Sequence, residues 1–325
     1  MAAVAAARVI RETFDGMPAW RIESESGSTA LIAERGASVL SWEPKPGVNV
    51  IDGYVNAEEL REASWSRSLV AVPWPGRMKG NKYRFDGVTY ELPTTSRGSA
   101  LHGFVYDEDF EVEDASSSLT LRCDFPGAQG YPWPFTVRVT YSLEVGADSE
   151  EHLSVMIAAT NTGTTDIPLA IGWHPYVKLP DNATISNYAV TIPARTKILY
   201  GPDSVPLAGE AAYSGVNAPV TINYLGARAM DDSYRGLIPD ENGVVNTVVS
   251  DSASNATIRL SQEPADAPVV HIYTGDGAPR DPRGSLALEP LSHLPDAFNR
   301  ADSAASIRLA PQETRQLTAT ITCIL

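Results

Sequence analysis

Histidine and cysteine are scarce in this chain, with five and two copies in 325 residues. The cysteines, Cys123 in "LTLRCDF" and Cys323 in "TATITCIL", lie far apart. Both occupy the apolar phase of an alternating segment, which predicts buried thiols; a long-range pairing stays open at this point. So few cysteines in so long a chain do not make a disulfide scaffold. Positive charge is also short: 25 Lys and Arg against 40 Asp and Glu leave a net charge of −15 and a pI near 4.7. Such a surface repels phosphate backbones and anionic lipid, so nucleic acid and membranes are poor partners. No apolar run approaches the roughly 18 residues of a membrane span. The opening "MAAVAAARVIRETF" lacks a basic leader and meets Arg8 early, unlike a secretory signal. The "NAT" sequons at Asn182 and Asn255 would matter only in a secreted protein. A cytoplasmic protein is expected.

Helical periodicity is nearly missing, and period-two alternation takes its place. In "TVRVTYSLEV", Val137, Val139, Tyr141, Leu143 and Val145 share one face while polar residues share the other. Asp86-Gly87 in "YRFDGVTYEL" and Asp15-Gly16 near the start suit tight primed hairpin turns. The best helix candidate is "NAEELREAS", with Asn56 as cap and Glu59 completing a capping box; another turn follows "HLPDAFNR". The 24 Gly and 24 Pro are spread throughout, with no linker, repeat or composition break. The expectation is an all-β protein, one large antiparallel β-sandwich over residues 1–325 with few short helices.

Several chemistries lack their motifs. There is no GxxxxGK[ST] loop and no GxSxG elbow. "GDGAPR" lacks the third glycine of a dinucleotide fingerprint, and Pro279 spoils a helix start. No His or Cys spacing suits a metal, and Asp231-Asp232 is too sparse for a calcium loop. No metal or cofactor is expected.

Scattered histidines, carboxylates and an arginine remain. His174 sits in "GWHPYVKL", where Pro175 forbids an ordinary ladder bond and biases His174 toward an extended backbone. Its neighbours Trp173 and Tyr176 suit the C–H face of a sugar; a histidine packed among aromatics is the equally weighted alternative. His102 precedes Gly103, which permits close approach of backbone or ligand, yet alone it reads as a loop histidine. Glu289, in "SLALEPLSHLPDAFN", ends a very apolar strand at Pro290. Burial there would raise its pKa toward the range of an acid–base catalyst. Asp231 reads alone as a turn residue in a loop, and Arg77, beside Trp74, as a surface arginine. His271, in "VVHIYTGDG", reads alone as a satisfied sheet histidine.

In order along the chain, "PGRMKGNKYRFDGVTYEL", "ALHGF", "GWHPYVKL", "AMDDSY", "HIYTGDG" and "LALEPLSHLPDAFN" resemble the aldose 1-epimerase (galactose mutarotase) family. "ERGASVLSWEP" fits the family's opening strands, so the resemblance covers most of the chain. It implies the galactose mutarotase-like supersandwich, whose open face binds a sugar without metal or cofactor. It also implies Glu289 as catalytic base, His174 as general acid, and His102 near the ring oxygen. Arg77 and Asp231 match substrate-positioning residues, with Asp232 the alternative to Asp231. His271, Trp173, Tyr176 and Trp74 complete the expected substrate-binding set. The reaction implied is interconversion of the α and β anomers of a free hexose or pentose, by a monomer or homodimer.

The chain departs from the family at three places. "SRGSALHGF" replaces a longer "NHLHG"-type segment, His271 stands where glutamine is common, and "PWPGR" replaces an "ANRI"-type run. The first two touch the substrate region, so preference for galactose or glucose does not carry over; the third points to a divergent branch. One alternative is a hexose-6-phosphate 1-epimerase, which needs cations such as Lys79, Lys82 and Arg84 aimed at a phosphate. Others are a non-catalytic carbohydrate-binding protein on the same fold, and a glycosidase using Asp231 and Glu289.

Overall fold

The computed structural model describes residues 7–95, 98–146, 150–215, 220–251, 254 and 256–325. Asn255 therefore lies outside the described residues, whereas the Asn182 side chain donates to Asp251 at 3.0 Å.

Alternation builds the back of the molecule. A nine-stranded sheet runs Val220–Ile222, Ala189–Ile192, Val245–Ser250, Thr257–Gln262, Thr314–Ile324, Glu151–Asn161, Phe135–Val145, Leu119–Phe125 and Glu111–Ala115. Its middle strands are the long alternating segments of the sequence. Val137, Val139, Tyr141 and Leu143 are buried as the period-two pattern requires, but Val145, the last residue of its strand and paired with Glu151, is 49% exposed. Both cysteines are buried free thiols here, and burial pushes each up to about 12.

A second sheet lies in front, ordered Tyr213–Gly215, Ala194–Ile198, Asp231–Leu237, Val269–Tyr273, Leu286–Leu291, Gly172–His174 and Leu69–Ala71. The short strand Tyr176–Val177 also pairs with Leu286–Leu291. Every ladder between the strands of these two sheets is antiparallel. Val70, Trp173, Val270, Ile272, Leu286 and Leu288 point back into one core with the nine-stranded sheet. Their neighbours in sequence therefore point forward, away from that core. This is an antiparallel β-sandwich whose front face is free to build a site.

Smaller elements frame it. Arg8–Phe14, Met17–Glu23, Thr29–Ala33 and Val39–Glu43 form a meander. Its first hairpin turns on Asp15-Gly16 (φ 47° and 81°), and the Lys82–Phe85/Val88–Glu91 hairpin turns on Asp86-Gly87 (φ 49° and 83°). Positive φ at both positions is what the primed turn demands. The short helix Ala57–Arg61 is capped by Asn56, whose side chain accepts from the Glu59 amide at 2.8 Å. Glu59 reaches back to Val55 rather than to Asn56, one residue beyond the expected box. A single helical turn forms at Ala297–Asn299, inside "HLPDAFNR" rather than after it.

Candidate functional site

Four neighbouring strands of the front sheet place a row of side chains side by side. Ser233 pairs with His271, and His271 with Glu289. Gly172 pairs with Leu291 and Tyr176 with Ala287, so His174 falls opposite Glu289 in the same register. Pro175 and Pro290 interrupt the ladder between those two strands because neither has an N–H. The row thus reads Ser233, His271, Glu289, His174 across the sheet, all on the forward face.

Loops close the row into a pocket. His102 is carried on a loop with φ 58°, and Gly103 follows with φ 75°. A Cβ on Gly103 would lie 2.1 Å from the Val72 carbonyl oxygen, so glycine is required where the two chains touch. The Gly76 amide donates to His102 Nδ1 at 3.1 Å, leaving Nε2 as the other polar edge of the ring. Arg77, half-buried, donates to Ser99 Oγ at 2.9 Å. The cavity measures about 320 Å³ and is lined by Arg77, His102, His174, Asp231, His271 and Glu289, with Trp65, Tyr176, Tyr200 and Tyr273 as its aromatic walls.

Its centre is dry. His102, His174, His271 and Glu289 are only 4–8% exposed. His174 Nε2 stands 3.1 Å from Glu289 Oε1, and His271 Nε2 is 3.9 Å from the same oxygen. His271 also contacts Asp231 Oδ1 at 3.0 Å through Nε2 and Ser233 Oγ at 2.8 Å through Nδ1. Burial raises the Glu289 carboxyl to about 7, eased by His271 and reinforced by Asp231. Burial pulls His271 down, but Glu289 and Asp231 more than reverse this and leave it at about 8. Burial also raises Asp231, yet the hydrogen bond and charge of His271, with Arg77 and His174, hold it below its ordinary value. Glu289, a carboxyl brought near neutrality, thus touches an imidazole, and such a contact has the makings of general acid–base chemistry.

The sequence expectations divide cleanly. Glu289, His174, His102, Arg77, Asp231, His271 and Tyr176 are brought together on one cavity. Tyr176 stacks on His174 at 5.1 Å between ring centres. Trp173 and Trp74 are corrections: they are 0% and 1% exposed, within the core between the sheets. Trp173 alternates with His174, so one strand cannot send both forward; Trp74 packs edge-on against Phe104 and Phe298. Asp231 is not a loop residue but opens the strand Asp231–Leu237, and it rather than Asp232 faces the cavity. Asp232 turns the other way and pairs with Lys197 at 2.7 Å.

Sequence reasoning missed Trp65, Tyr200, Tyr273 and Ser233. Tyr273 and Ser233 were within reach, since each lies two residues from a named site residue on an alternating strand. Trp65 sits in a loop where Ala63, Trp65, Ser66 and Ser68 all have positive φ, a conformation no local signal announces. Lys79, Lys82 and Arg84 are exposed and do not line the cavity; Lys79 pairs with Asp203 at 3.2 Å. Among the described residues, no group of three or more His, Cys, Asp or Glu is placed to hold a metal ion.

Solved structures share this architecture. A galactose mutarotase-like protein from Clostridium acetobutylicum superposes with a TM-score of 0.80 at 16% identity, covering 98% of this chain and 99% of that one. The galactose 1-epimerase of Lactobacillus acidophilus NCFM does so with 0.78 at 14% identity and the same coverage. The fold is thus the galactose mutarotase-like supersandwich. The family model described as aldose 1-epimerase matches residues 18–322, and the chain belongs to that family. It is also 28% identical to the uncharacterised Escherichia coli (strain K12) protein YihR over 245 residues, 71% of each chain. With YphB of the same organism it shares 28% identity over 255 residues, 75% of this chain and 79% of that one.

Proposed function

We propose that the protein is a cofactor-independent mutarotase, interconverting the α and β anomers of a free aldose at this cavity. One observation carries the reading: the buried contact of His174 with Glu289 at 3.1 Å. The hydroxyl oxygen and ring oxygen of a cyclic sugar are both bonded to C1, so a base for one and an acid for the other must stand side by side. Glu289 takes the proton of the C1 hydroxyl while His174 gives one to the ring oxygen. The C1–ring-oxygen bond breaks as the C1 carbonyl forms. Rotation about C1–C2 presents the other carbonyl face, and the two residues exchange roles as the ring closes. In this scheme His102 and Arg77 orient ring hydroxyls, and Trp65 and Tyr176 cover the apolar C–H faces.

A phosphorylated sugar is disfavoured, since Arg77 is the single arginine or lysine among the described residues lining the cavity. A glycosidase is disfavoured too, because His271 Nε2 lies between the Asp231 and Glu289 carboxylates, 3.0 Å and 3.9 Å away. A binding protein has no use for an acid and base in contact. We take residues 1–325 as one domain, cytoplasmic, working as a monomer or homodimer. The test follows the anomers of glucose, galactose, a pentose and glucose 6-phosphate by NMR, with and without protein. Faster equilibration with a free sugar, lost in Glu289→Gln, supports the reading; no acceleration with any sugar by folded protein rejects it.

A further inference from the structure

The strongest unassigned feature is the hydrogen-bond chain behind Glu289. Asp231 Oδ1, His271 and Ser233 Oγ follow one another at 3.0 Å and 2.8 Å, and Ser233 Oγ continues to the Tyr200 hydroxyl at 2.6 Å. The order acid–imidazole–serine resembles a nucleophilic triad, but the burial is reversed. Ser233 is fully buried and does not line the cavity, whereas the Asp231 side chain is 56% exposed at its mouth. A serine shut away from ligand cannot attack one. The chain must act on something inside the protein, and His271 faces Glu289 directly across two paired strands.

We propose that His271 is a positioning residue: an imidazolium held between the Asp231 and Glu289 carboxylates, and steered by Ser233 and Tyr200, that keeps Glu289 ionised as the base. The inference rests on the mutarotase reading for its purpose, but not for its physics.

Each donor finds an acceptor when His271 is charged. Nε2–H donates to Asp231, Nδ1–H donates to Ser233 Oγ, and the Ser233 hydroxyl donates to Tyr200. When His271 is neutral, Nε2–H still donates to Asp231 while Ser233 donates to Nδ1 and accepts from Tyr200. Two hydroxyl rotations therefore let the imidazole gain or lose its charge with no polar atom orphaned. Tyr200 lines the cavity, so its O–H points inward to Ser233 or outward to the ligand according to the charge on His271.

The groups facing this imidazole come from every neighbouring element. Glu289 stands on one flanking strand and Asp231 on the other, while Asp232, on the opposite face of that strand, acts only through its charge. Lys197 neutralises Asp232 from the next strand out. Beyond Glu289 comes His174, and Tyr200 stays protonated because burial drives its pKa up. Carboxylates dominate the surroundings of His271, which favours the cation. A neutral glutamine in its place would supply hydrogen bonds but no charge.

The test is a 13C titration of glutamate-labelled protein, with no ligand needed, comparing wild type and His271→Gln. The Glu289 midpoint should rise by about one pH unit in the variant, and the acid limb of kcat/KM should move with it, a roughly tenfold loss on that limb. An unmoved or lower Glu289 midpoint overturns the proposal. Ser233→Ala keeps the imidazole and serves if His271→Gln does not fold. It should lower the His271 midpoint, followed by 15N, because the charge-assisted bond that the cation donates to Ser233 is stronger than the bond the neutral ring accepts from it; an unchanged midpoint overturns the steering role. Should wild type accelerate no sugar's anomerisation, the mutarotase reading fails while the titration still decides the charge on Glu289.

Discussion

His174 Nε2 and Glu289 Oε1 lie 3.1 Å apart on adjacent strands whose ladder is broken between them. A proline follows each residue, Pro175 and Pro290, and neither can donate to the neighbouring strand. The ladder resumes through the Leu288 amide, which donates to the Pro175 carbonyl at 3.1 Å. The two side chains thus share one register position in a stretch where two prolines remove backbone donors.

That contact makes Glu289→Gln the sharpest test of chemistry. Glutamine keeps the shape and removes the base, so kcat should fall by about 10²–10⁴-fold. In wild type, kcat/KM should rise with pH through about 7, where burial has brought the carboxyl. Polarimetry across pH, with circular dichroism as a fold control, reads both.

The same carboxyl costs stability when ionised. Glu289 has a folded pKa raised from 4.5 to about 7, so the folded state binds the extra proton, and its contribution is lost as pH rises through that interval. His271, raised from 6.5 to about 8, is fully stabilising below 6.5 and loses this as pH rises through about 8. Glu289→Gln should therefore gain on wild type between pH 5 and pH 8, by on the order of 1–3 kcal/mol. Urea unfolding at the two pH values measures the difference.

Beneath the site, Asp52 pairs with Arg67 and with Arg280, the latter at 3.0 Å, and accepts from Ser285 at 2.6 Å. The Arg67 guanidinium lies over the Tyr176 ring at 5.3 Å, and Tyr176 in turn stacks on His174. Asp52→Asn leaves Arg67, 3% exposed, without its charge partner. The loss should be about 3–5 kcal/mol. Burial raises Asp52, but Arg67, Ser285 and Arg280 lower it overall from 3.8. Its stabilisation is present above 3.8 and fades as pH falls through the lower folded value, so the gap between variant and wild type should close in acid. Thermal unfolding from pH 7 downward follows this.

Gly103→Ala should fail to hold the His102 loop. The new methyl would meet the Val72 carbonyl at 2.1 Å in a backbone with φ 75°. Backbone contact and positive φ together should cost about 3 kcal/mol or more. A fall in melting temperature checks it, and a variant as stable as wild type would contradict the close approach.

Trp65→Ala should weaken sugar binding more than chemistry. The indole lines the cavity, and a Cβ on Gly277 would come within 3.0 Å of its ring. Removing one aromatic wall should raise KM by about 2–10-fold with kcat little changed. Saturation curves for wild type and variant distinguish this from damage to the acid–base pair.

Much of the fold was legible because alternation is a local property. The buried phase of Phe135–Val145 and both Asp-Gly hairpins can be read from a few adjacent residues. The same rule, carried through, would have sent Trp173 into the core once His174 was placed in the site. It would equally have added Ser233 and Tyr273 to the site face. The resemblance supplied His174, Glu289, His102, Arg77 and Asp231 as a set, though none of them stands out from its own neighbours. Trp65 was beyond reach, since its placement rests on a run of positive φ values in residues that are not glycine.

The sequence by itself determined the strands, their buried faces, the tight turns and the family, because each depends on order and spacing along the chain. Only tertiary structure decided that Glu289 touches His174, that His271 lies between two carboxylates, and that Tyr200 backs Ser233. These contacts join residues 18 to 115 positions apart in the chain. They arise from strand register, and so does the raised pKa of Glu289. Desolvation and facing charge belong to the assembled sheet and not to any segment of it.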